Sequence, residues 1–525
     1  MRMWTIPLTI ILLLPIGVVG AQWLTPRWDV WAHLWATRLA EMLGTTALLT
    51  AGVGLGTFVL GTSLGWLVSA YRFPGQSIFD WLLVGPLAMP SFILAFVYMA
   101  TFDLAGPVQQ ALRQWFGRDI WFPEIRSIGG AVLVLTLVLY PYVYLLARAA
   151  FREQAASTFE AARSLGYTRT QTFLRLVLPL ARPSLVAGIT LAMLEALTDF
   201  GAVRFFSVST LSEGIVRLWE GAFDRSSALT LASLLLVFAL AVILLERLLR
   251  GKSRFFQAGS AYRRMQPIHL RGFKAWLAAG FCLLVLCAAL FLPLVQLAAW
   301  AAQEALNAAP GAFDAVYWRY LLNTVGLALI ASIIAIGVAV ILAQGARLQR
   351  SRANRVITQL ATLGYAMPGA VIAAGVLITL STIDRWLGVG LLLTGSLFGL
   401  IYAYVVRFIS LAYNSAEASL EKVTPSLIEA ARTLGANPSR VLWRIQIPLV
   451  SAGLIAGVAL VFVDVLKELP ATLLLRPFGM DTLVIWSYMA AAESLWTAAA
   501  LPSLTILVVG LVAVIALLRT GKLFL

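Results

Sequence analysis

The chain has 525 residues, of which 61% are apolar and 12% are charged, and its mean hydropathy is +0.89. Soluble domains contain roughly 45–50% apolar and 25% charged residues, so this composition excludes an ordinary soluble domain and indicates a polytopic membrane protein. The net charge of +15 does not require nucleic acid, because basic residues concentrate in the loops on one side of a membrane. We therefore expect a lipid bilayer and no nucleic acid as partner.

Twelve apolar stretches have the length needed to cross a hydrocarbon core of ~30 Å. They lie near 5–22, 44–70, 78–101, 129–148, 184–203 and 227–249 in the first half, and near 275–301, 321–344, 357–380, 388–409, 450–468 and 499–519 in the second. The first has signal-peptide character but no convincing cleavage site, so we expect a retained helix. Residues 469–498 could form a re-entrant or interfacial segment. The predicted fold class is all-α, with six spans in each half.

Lysine and arginine in the short loops predict the orientation. The loops after spans two, four, six, eight and ten are the more basic ones; examples are Arg72, Arg148, Arg152, Arg250, Lys274, Arg347, Lys422 and Arg440. These loops are expected on the cytoplasmic side, which places both termini there as well.

Residues 251–274 form a basic join between the halves, typical of a solvated linker beside anionic headgroups. Gly251-Lys252-Ser253 ends like a phosphate loop, but Glu246 stands where that motif needs its first glycine. We therefore predict no nucleotide site. The predicted domains are a first repeat over 1–250, the linker 251–274 and a second repeat over 275–525.

Metal and disulfide chemistry have little support in the sequence. The two cysteines, Cys282 and Cys287, lie in one apolar run, and the two histidines are His33 and His269. This set has neither zinc-ligand spacing nor a disulfide framework. We assign no metal site and no bound cofactor.

The polar segment 160–180 recurs without a gap as the segment 429–449. Such self-similarity indicates two copies of one structural unit. The halves match elsewhere, because Thr46 corresponds to Thr324, and Ala88-Met89-Pro90 corresponds to Ala366-Met367-Pro368, with one common offset. The copies are unequal in two loops: the first half has a longer loop around 106–124, and the second half has extra residues around 423–425.

Each copy of the repeated segment predicts a helical elbow. Its opening residues, Glu-Ala-Ala-Arg, favour a helix, and Gly166 or Gly435 then permits a tight left-handed turn. A second helix follows and is predicted to stop at Pro179 or Pro448.

Both copies fit the pattern Glu-Ala-Ala, three residues, Gly, nine residues, aliphatic, any residue, aliphatic, Pro. This pattern resembles the cytoplasmic loop of ABC importer permeases of type I, with coupling loops here at 150–182 and 410–449. The resemblance implies that the helix before each glycine is a coupling helix that docks in a groove of a separate ATPase subunit. The residues to which it assigns this role are Glu160, Ala161, Ala162, Gly166, Glu429, Ala430, Ala431 and Gly435.

The family resemblance further implies two copies of the ATPase, which would bind ATP and Mg²⁺, and a periplasmic substrate-binding protein. The chain itself is expected to be a transport subunit and not an enzyme. Its expected location is the bacterial inner membrane. An ion-gradient-driven secondary transporter also uses repeats and intramembrane acids, but it would not need paired glycine-broken elbows. A membrane scaffold that transports nothing would need neither the acids nor the duplication.

The apolar segment after each elbow carries two acids four residues apart, a spacing that places both on one helix face. Intramembrane acids usually face a pathway or a partner. The acids are Glu195, Asp199, Asp464 and Glu468, and four tyrosines could add to a polar path: Tyr140, Tyr142, Tyr402 and Tyr404. Two roles remain open for the acids, namely contact with a cationic substrate and internal pairing or gating, with Lys467 or Arg204 nearby.

The strings 464–483 and 88–99 resemble the corresponding regions of ferric-iron ABC permeases, many of which are fused double permeases of similar length. The resemblance covers nearly the whole chain and implies ferric iron as the substrate. Fused permeases for thiamine and aminophosphonates share the same plan and remain alternatives. The acids at Asp199 and Glu468 stand in different local sequences, Thr-Asp-Phe-Gly and Lys-Glu-Leu-Pro, so the site is not expected to be two-fold symmetric.

Overall fold

The chain is described by a computed structural model that covers residues 5–153, 162, 164–221, 224–250, 267–307, 313–348, 352–362, 364 and 367–522. Twelve helices in these ranges are long and apolar enough to cross a membrane. This number confirms the prediction of an all-α polytopic membrane protein.

The described helices of the first half are α1 (Thr5–Gly20), α2 (Trp28–Thr37), α3 (Leu39–Ala70), α4 (Gln76–Leu82), α5 (Ser91–Phe102), α6 (Pro107–Phe116), α7 (Ile128–Arg152), α8 (Arg169–Thr172), α9 (Leu178–Thr198), α10 (Gly201–Phe205), α11 (Leu211–Val216) and α12 (Arg225–Arg250). Short 3₁₀ turns lie at Ala21–Trp23 and Gly85–Ala88, and π turns at Phe173–Val177 and Arg217–Gly221.

The described helices of the second half are α13 (Phe273–Leu286), α14 (Leu292–Asn307), α15 (Ala315–Leu348), α16 (Arg352–Ala361), α17 (Gly369–Leu387), α18 (Leu397–Glu421), α19 (Pro425–Thr433), α20 (Pro438–Val441), α21 (Ile447–Leu466), α22 (Pro470–Leu475), α23 (Leu483–Ala492) and α24 (Trp496–Lys522). Its π turns lie at Cys287–Phe291 and Leu442–Gln446. The segment 469–498 therefore contains two short helices, α22 and α23.

The third span of each half is broken, where the sequence predicted one continuous segment. In the first half, α4, a 3₁₀ turn and α5 replace the predicted segment 78–101, because Pro86 and Pro90 have no N–H to continue an α-helix. In the second half, α16 ends before Pro368 and α17 begins after it. The predicted span 388–409 also shifts to α18, because its first residues form a loop with Gly388 at a φ of 64°.

The repeat-equivalent threonines Thr46 and Thr324 have the same structural role. The hydroxyl of Thr46 accepts a hydrogen bond of 3.0 Å from the backbone N–H of Leu211, and that of Thr324 accepts one of 2.9 Å from Leu483. These N–H groups belong to the first residues of α11 and α23, where no intrahelical acceptor exists. The repeat visible in the sequence is thus also a repeat of side-chain contacts.

The chain forms two compact units. One contains 1–34, 215–236 and 301–525, and the other contains 35–214 and 237–300. Within the first, α1 packs against α16 and α17; within the second, α13 packs against α4. The first helix of each half therefore lies in the compact unit built mainly from the other half, so the compact units differ from the sequence repeats.

The end of the predicted linker has a defined place in the second of these units. Residues Tyr71–Arg72 (β1) and Ile268–His269 (β2) form a short parallel pair, and Leu270 donates its N–H to the carbonyl of Arg72 at 2.9 Å. Most of the linker, 251–266, lies outside the described residues. Its last residues are attached to the loop that follows α3.

Candidate functional site

Both elbows turn as the sequence predicts. Gly166 and Gly435 have φ values of 78° and 81°, in the left-handed region that glycine tolerates best. The N–H of Tyr167 donates to the carbonyl of Ala162, and the N–H of Ala436 to that of Ala431, each at 3.0 Å. This bond pattern is the mark of a Schellman motif and satisfies a carbonyl at the helix end.

The second helix of each elbow begins with a side-chain cap. Thr168 and Gln171 form a reciprocal capping box at the start of α8, and the side-chain oxygen of Asn437 accepts from the N–H of Arg440 at 2.8 Å. Thr168 and Asn437 occupy equivalent positions in the repeat. Different residues thus supply the same cap, which keeps the two elbow geometries alike.

The second helix does not stop at Pro179 or Pro448, so that prediction is wrong. A π turn precedes each proline, and the helix continues into α9 or α21. Leu178 donates its N–H to the carbonyl of Phe173, and Ile447 donates to Leu442, as the wider π turn requires. Because a π turn shifts the hydrogen-bond register by one residue, the chain accommodates a proline that would otherwise end the helix.

The predicted coupling residues divide into an inward and an outward set. Ala162 and Ala431 are buried, whereas Glu429, Ala430 and Gly435 are exposed. Gly166 is also exposed. Glu160 and Ala161 lie outside the described residues.

A large apolar side chain stands at the tip of each elbow. Leu165 is 72% exposed and Leu434 is 88% exposed, each directly before the turning glycine. Leucine at such exposure has almost its whole apolar surface available for burial against another molecule. Each elbow thus exposes one large apolar side chain directly before its turn.

The second acid of each predicted pair lies beyond the end of its helix, which corrects the prediction that both acids share one helix face. Helix α9 ends at Thr198 and α21 at Leu466. Asp199 accepts from the N–H of Ala202 at 2.8 Å, and Glu468 accepts from that of Ala471 at 3.1 Å. Each acid thus caps the short helix that follows, because its first N–H groups need an external acceptor.

Glu468 also forms a buried ion pair that the sequence pattern did not predict. The Nε of Arg407 lies 3.2 Å from a carboxylate oxygen of Glu468, and the two side chains are 6% and 4% exposed. A Cβ added at Gly369 would come within 1.9 Å of Arg407 Nη1 and 2.5 Å of Glu468 Oε1. Glycine at this position therefore makes room for the pair. The signal for Arg407 was available, since it is an arginine inside an apolar span.

The first half does not have the residues that form the Arg407–Glu468 pair and its glycine neighbour. By the repeat alignment, Gly369, Arg407 and Glu468 correspond to Ser91, Leu145 and Asp199. Asp464 forms an ion pair of 2.8 Å with Lys467, one of the two bases expected near the acids, and its counterpart in the first half is Glu195. The second half therefore matches its two acids with two bases, whereas the equivalent positions of the first half carry two acids, Leu145 and Thr198.

The four tyrosines predicted for a polar path have different surroundings within their compact units. Tyr140 donates to the carbonyl of Leu83 at 2.9 Å, and Tyr142 is half-buried elsewhere on α7. Tyr402 donates to the carbonyl of Ile11 in α1. The hydroxyls of Tyr404 and Thr472 are 2.6 Å apart, and the hydroxyl of Thr472 donates to the backbone carbonyl of Glu468.

A small cavity of about 10 Å³ adjoins this acid, and its lining includes Tyr404, Glu468, Thr472, Thr324 and Thr482. The volume suits about one water molecule. This cavity next to Glu468 is therefore of the size of a single water molecule.

Tyr402 compensates for a proline inside the first helix. Pro15 has no N–H to donate to the carbonyl of Ile11, and Tyr402 supplies the missing donor. Gly375 permits the contact, because an added Cβ would lie 2.2 Å from the carbonyl oxygen of Pro15. The first helix is thus attached to the second half by a specific hydrogen bond.

The other compact unit has an analogous contact. Tyr98 donates to the carbonyl of Ala288 at 3.0 Å, in the π turn that follows α13. In that turn the expected donor to Ala288 is residue 293, which is Pro293. By the repeat alignment, Pro293 corresponds to Pro15 of the first half. In both halves a tyrosine satisfies a carbonyl that a proline leaves without a backbone donor.

A charged cluster lies where α7 leads into the first elbow. Arg148 donates to both carboxylate oxygens of Asp80, at 2.5 and 2.6 Å, and Arg152 donates at 2.9 Å. Burial alone would raise the pKa of Asp80, but the hydrogen bonds and charge of Arg148, together with Arg152, lower it below its usual value. Asp80 therefore remains ionised and attaches α4 to the base of α7.

These features define a membrane protein built from two copies of a helical unit, each with a protruding elbow. The family model for the inner membrane component of binding-protein-dependent transport systems matches residues 57–254 and again 320–520, and the chain belongs to this family. It is therefore a permease of the ABC importer class.

The curated relatives extend this assignment. The chain is 27% identical over 464 residues to the Fe(3+)-transport system permease protein FbpB 2 of Haemophilus influenzae, covering 88% of this chain and 86% of that protein. It is 29% identical over 244 residues to the sulfate transport permease CysT of Salmonella typhimurium, covering 44% and 86%. It is 27% identical over 200 residues to the molybdenum transport permease ModB of Escherichia coli, covering 37% and 86%.

Proposed function

We propose that the chain is the membrane subunit of an ATP-driven importer and docks two copies of a separate ATPase through its elbows. The observation that carries this proposal is the repeated Schellman turn with an exposed leucine at its tip, Leu165 in one copy and Leu434 in the other. The coupling residues are Glu160, Ala161, Ala162 and Gly166 in the first elbow and Glu429, Ala430, Ala431 and Gly435 in the second. ATP and Mg²⁺ are bound by the ATPase.

Cysteine crosslinking tests the docking. In a Cys287→Ser background, which removes the exposed native thiol, Leu165→Cys and Leu434→Cys should each form a crosslink to the ATPase in the assembled complex. Trp121→Cys, at another exposed position, should not. If neither leucine position crosslinks while the complex remains assembled, the elbows are not the docking sites.

Ferric iron, delivered by a periplasmic binding protein, is the proposed substrate. The iron permease relative aligns over most of both chains, whereas the sulfate and molybdenum relatives align with less than half of this one. Carboxylate oxygens suit a hard cation, and Glu195, Asp199 and Asp464 are half-buried. We place these acids, with Glu468, along or beside the pathway.

A second candidate substrate is a tetrahedral oxyanion. The buried Arg407 carries a positive charge inside an apolar span, and the relatives include sulfate and molybdenum permeases. In this case Arg407 would leave Glu468 and contact the anion during passage.

Uptake by the reconstituted complex distinguishes the two substrates. Proteoliposomes with the ATPase and binding protein of the same system should accumulate ferric iron in an ATP-dependent manner and should not accumulate sulfate or molybdate. Glu195→Gln and Asp464→Asn should each reduce iron uptake several-fold. Uptake of sulfate or molybdate without iron would support the oxyanion, and normal iron uptake in both variants would remove these acids from the pathway.

The proposed location is the bacterial inner membrane with both termini in the cytoplasm. The support is the excess of arginine and lysine in alternate loops. Reporter fusions at the C-terminus and in the 106–124 loop test it. A cytoplasmic reporter should be active at the C-terminus and inactive in the loop, and the reverse result would invert the topology.

A further inference from the structure

We call the π turn of each elbow, with the span residue packed against it, the root of that elbow; the turns are Phe173–Val177 and Leu442–Gln446. The root of the second elbow contains a buried pair of amide side chains. Gln446 is the last residue of the π turn Leu442–Gln446, and Gln344 lies near the end of α15. The Nε2 of Gln344 donates to the Oε1 of Gln446 at 2.9 Å, and the two residues are 7% and 0% exposed. The contact therefore joins the elbow to a span in a site without access to bulk water.

Two facing amides can form two hydrogen bonds with each other, and Gln344 and Gln446 form one of them. The remaining Oε1 of Gln344 and Nε2 of Gln446 are buried and have no hydrogen-bond partner in the described part of the chain. Exchanging oxygen and nitrogen in both amides gives the same count. One acceptor and one donor are left over in neighbouring side chains, although two facing amides can form two parallel N–H···O bonds.

The equivalent positions of the first elbow have a different chemistry. By the repeat alignment, Gln344 corresponds to Trp66 and Gln446 corresponds to Val177. Trp66 packs against the apolar cluster that contains Val177, with ring-centroid distances of 4.9 Å to Phe173 and 5.4 Å to Phe151. Such aromatic packing holds the first root by shape and offers no alternative pairing.

The two roots therefore respond differently to a turn of the elbow. A small rotation about the π turn would bring the second pair of amide atoms of Gln344 and Gln446 together and would be favoured by the bond that forms. The same rotation in the first elbow would separate close-packed rings. A transition between discrete arrangements is what a conformational switch requires.

We propose that Gln344 and Gln446 form a movable joint on which the second elbow turns, whereas the first elbow moves as one body with its spans. The two glutamines are positioning residues for the coupling movement and contact neither ATP nor substrate. The role in coupling rests on the proposed docking of the elbows, but the joint itself can be measured without a partner.

Hydrogen exchange on the full chain in a lipid nanodisc tests the joint. Backbone amides of 442–447 should exchange at least about tenfold faster than those of 173–178, because a root with two arrangements opens more easily. In the double variant Gln344→Leu/Gln446→Leu this difference should largely disappear without a lower melting temperature. Val177→Leu, at the matched position of the first elbow, should leave the exchange of the second root unchanged.

The single variant Gln446→Leu separates mobility from simple instability. It leaves the buried amide of Gln344 without its partner, so it should lower the melting temperature, which the double variant should not. Equal exchange at the two roots of the native chain would overturn the proposal, as would fast exchange that persists at the second root in the double variant. Loss of the crosslinks from the elbow tips would instead contradict the docking and leave the exchange result standing.

Discussion

At the residue scale, the two capping acids have different consequences when neutralised. Asp199→Asn keeps a side-chain oxygen for the N–H of Ala202, so it should cost less than about 1 kcal/mol. Glu468→Gln removes the charge that faces the buried Arg407 and should cost about 3–5 kcal/mol. Thermal unfolding of the detergent-solubilised chain measures both variants. Equal losses of stability would contradict the importance of the buried ion pair between Glu468 and Arg407.

Asp80 gives a dependence of stability on pH. Because its pKa is lowered in the folded chain, its contribution is fully present above the unfolded value of about 3.9 and is lost as the pH falls through the lower folded value. Asp80→Asn should therefore reduce stability by about 1–3 kcal/mol at neutral pH. The difference between native and variant chains should shrink below about pH 4.

Unfolding curves of both chains, from neutral pH down to the acid limit of the folded state, check this prediction. A difference that grows on acidification would contradict the charged cluster of Asp80, Arg148 and Arg152. A difference that stays constant over the whole range would contradict the lowered pKa of Asp80.

The sequence indicated which individual residues carry charge inside the membrane, but it did not reveal their partners. Glu468 was identified because acids are rare in apolar spans, whereas Arg407 lies on a different helix, far away in the chain, and is brought to it by helix packing. The tyrosines were predicted to add to a polar path. Three of them hydrogen-bond to backbone carbonyls or a hydroxyl at helix junctions, and these contacts depend on neighbours far away in sequence. Their role in a path stays a prediction.

At the scale of elements, the contact between Tyr402 and α1 predicts a particular double-mutant result. Tyr402→Phe leaves the Ile11 carbonyl without its donor and should cost about 0.6–1.7 kcal/mol. In a Pro15→Ala background the backbone N–H of residue 15 becomes available, so Tyr402→Phe should then be nearly neutral. Melting temperatures of the four chains complete the cycle. Equal effects in both backgrounds would show that the tyrosine does not serve this carbonyl.

Local elements were predictable where local chemistry decides them. The elbow turns follow from glycine at a position that needs positive φ, and the structure has that turn in both copies. The prediction that the helix ends at Pro179 and Pro448 was wrong, because a π turn before each proline lets the helix continue. A rule about single residues does not predict such a turn. The broken third spans were missed because the hydrophobicity of 78–101 outweighed the prolines within it.

At the scale of the whole molecule, the sequence repeat and the compact units are different divisions. The sequence predicted twelve apolar spans and the two elbow turns correctly. The repeat did not predict that α1 and α13 each pack in the compact unit built mainly from the other half. A helix of uniform apolar character gives no signal about which neighbour it packs against. This packing makes each compact unit a mixture of both repeats.

We propose that the two glycine-turned elbows transmit the energy of ATP hydrolysis to the membrane-spanning helices. Gly166→Val and Gly435→Val place a branched residue at a φ of 78° or 81°, which costs about 1–2 kcal/mol and disfavours the turn. Gly117→Val and Gly479→Val are matched controls, because these glycines also have positive φ and no neighbouring atom within 4 Å of an added Cβ.

Substrate-stimulated ATP hydrolysis by the reconstituted complex is the most direct measurement of this claim. With ferric iron and its binding protein present, we expect each elbow variant to lose the stimulation while the chain still inserts into the membrane and the two control variants retain it. Full stimulation in both elbow variants, at normal levels of assembled complex, would contradict the account.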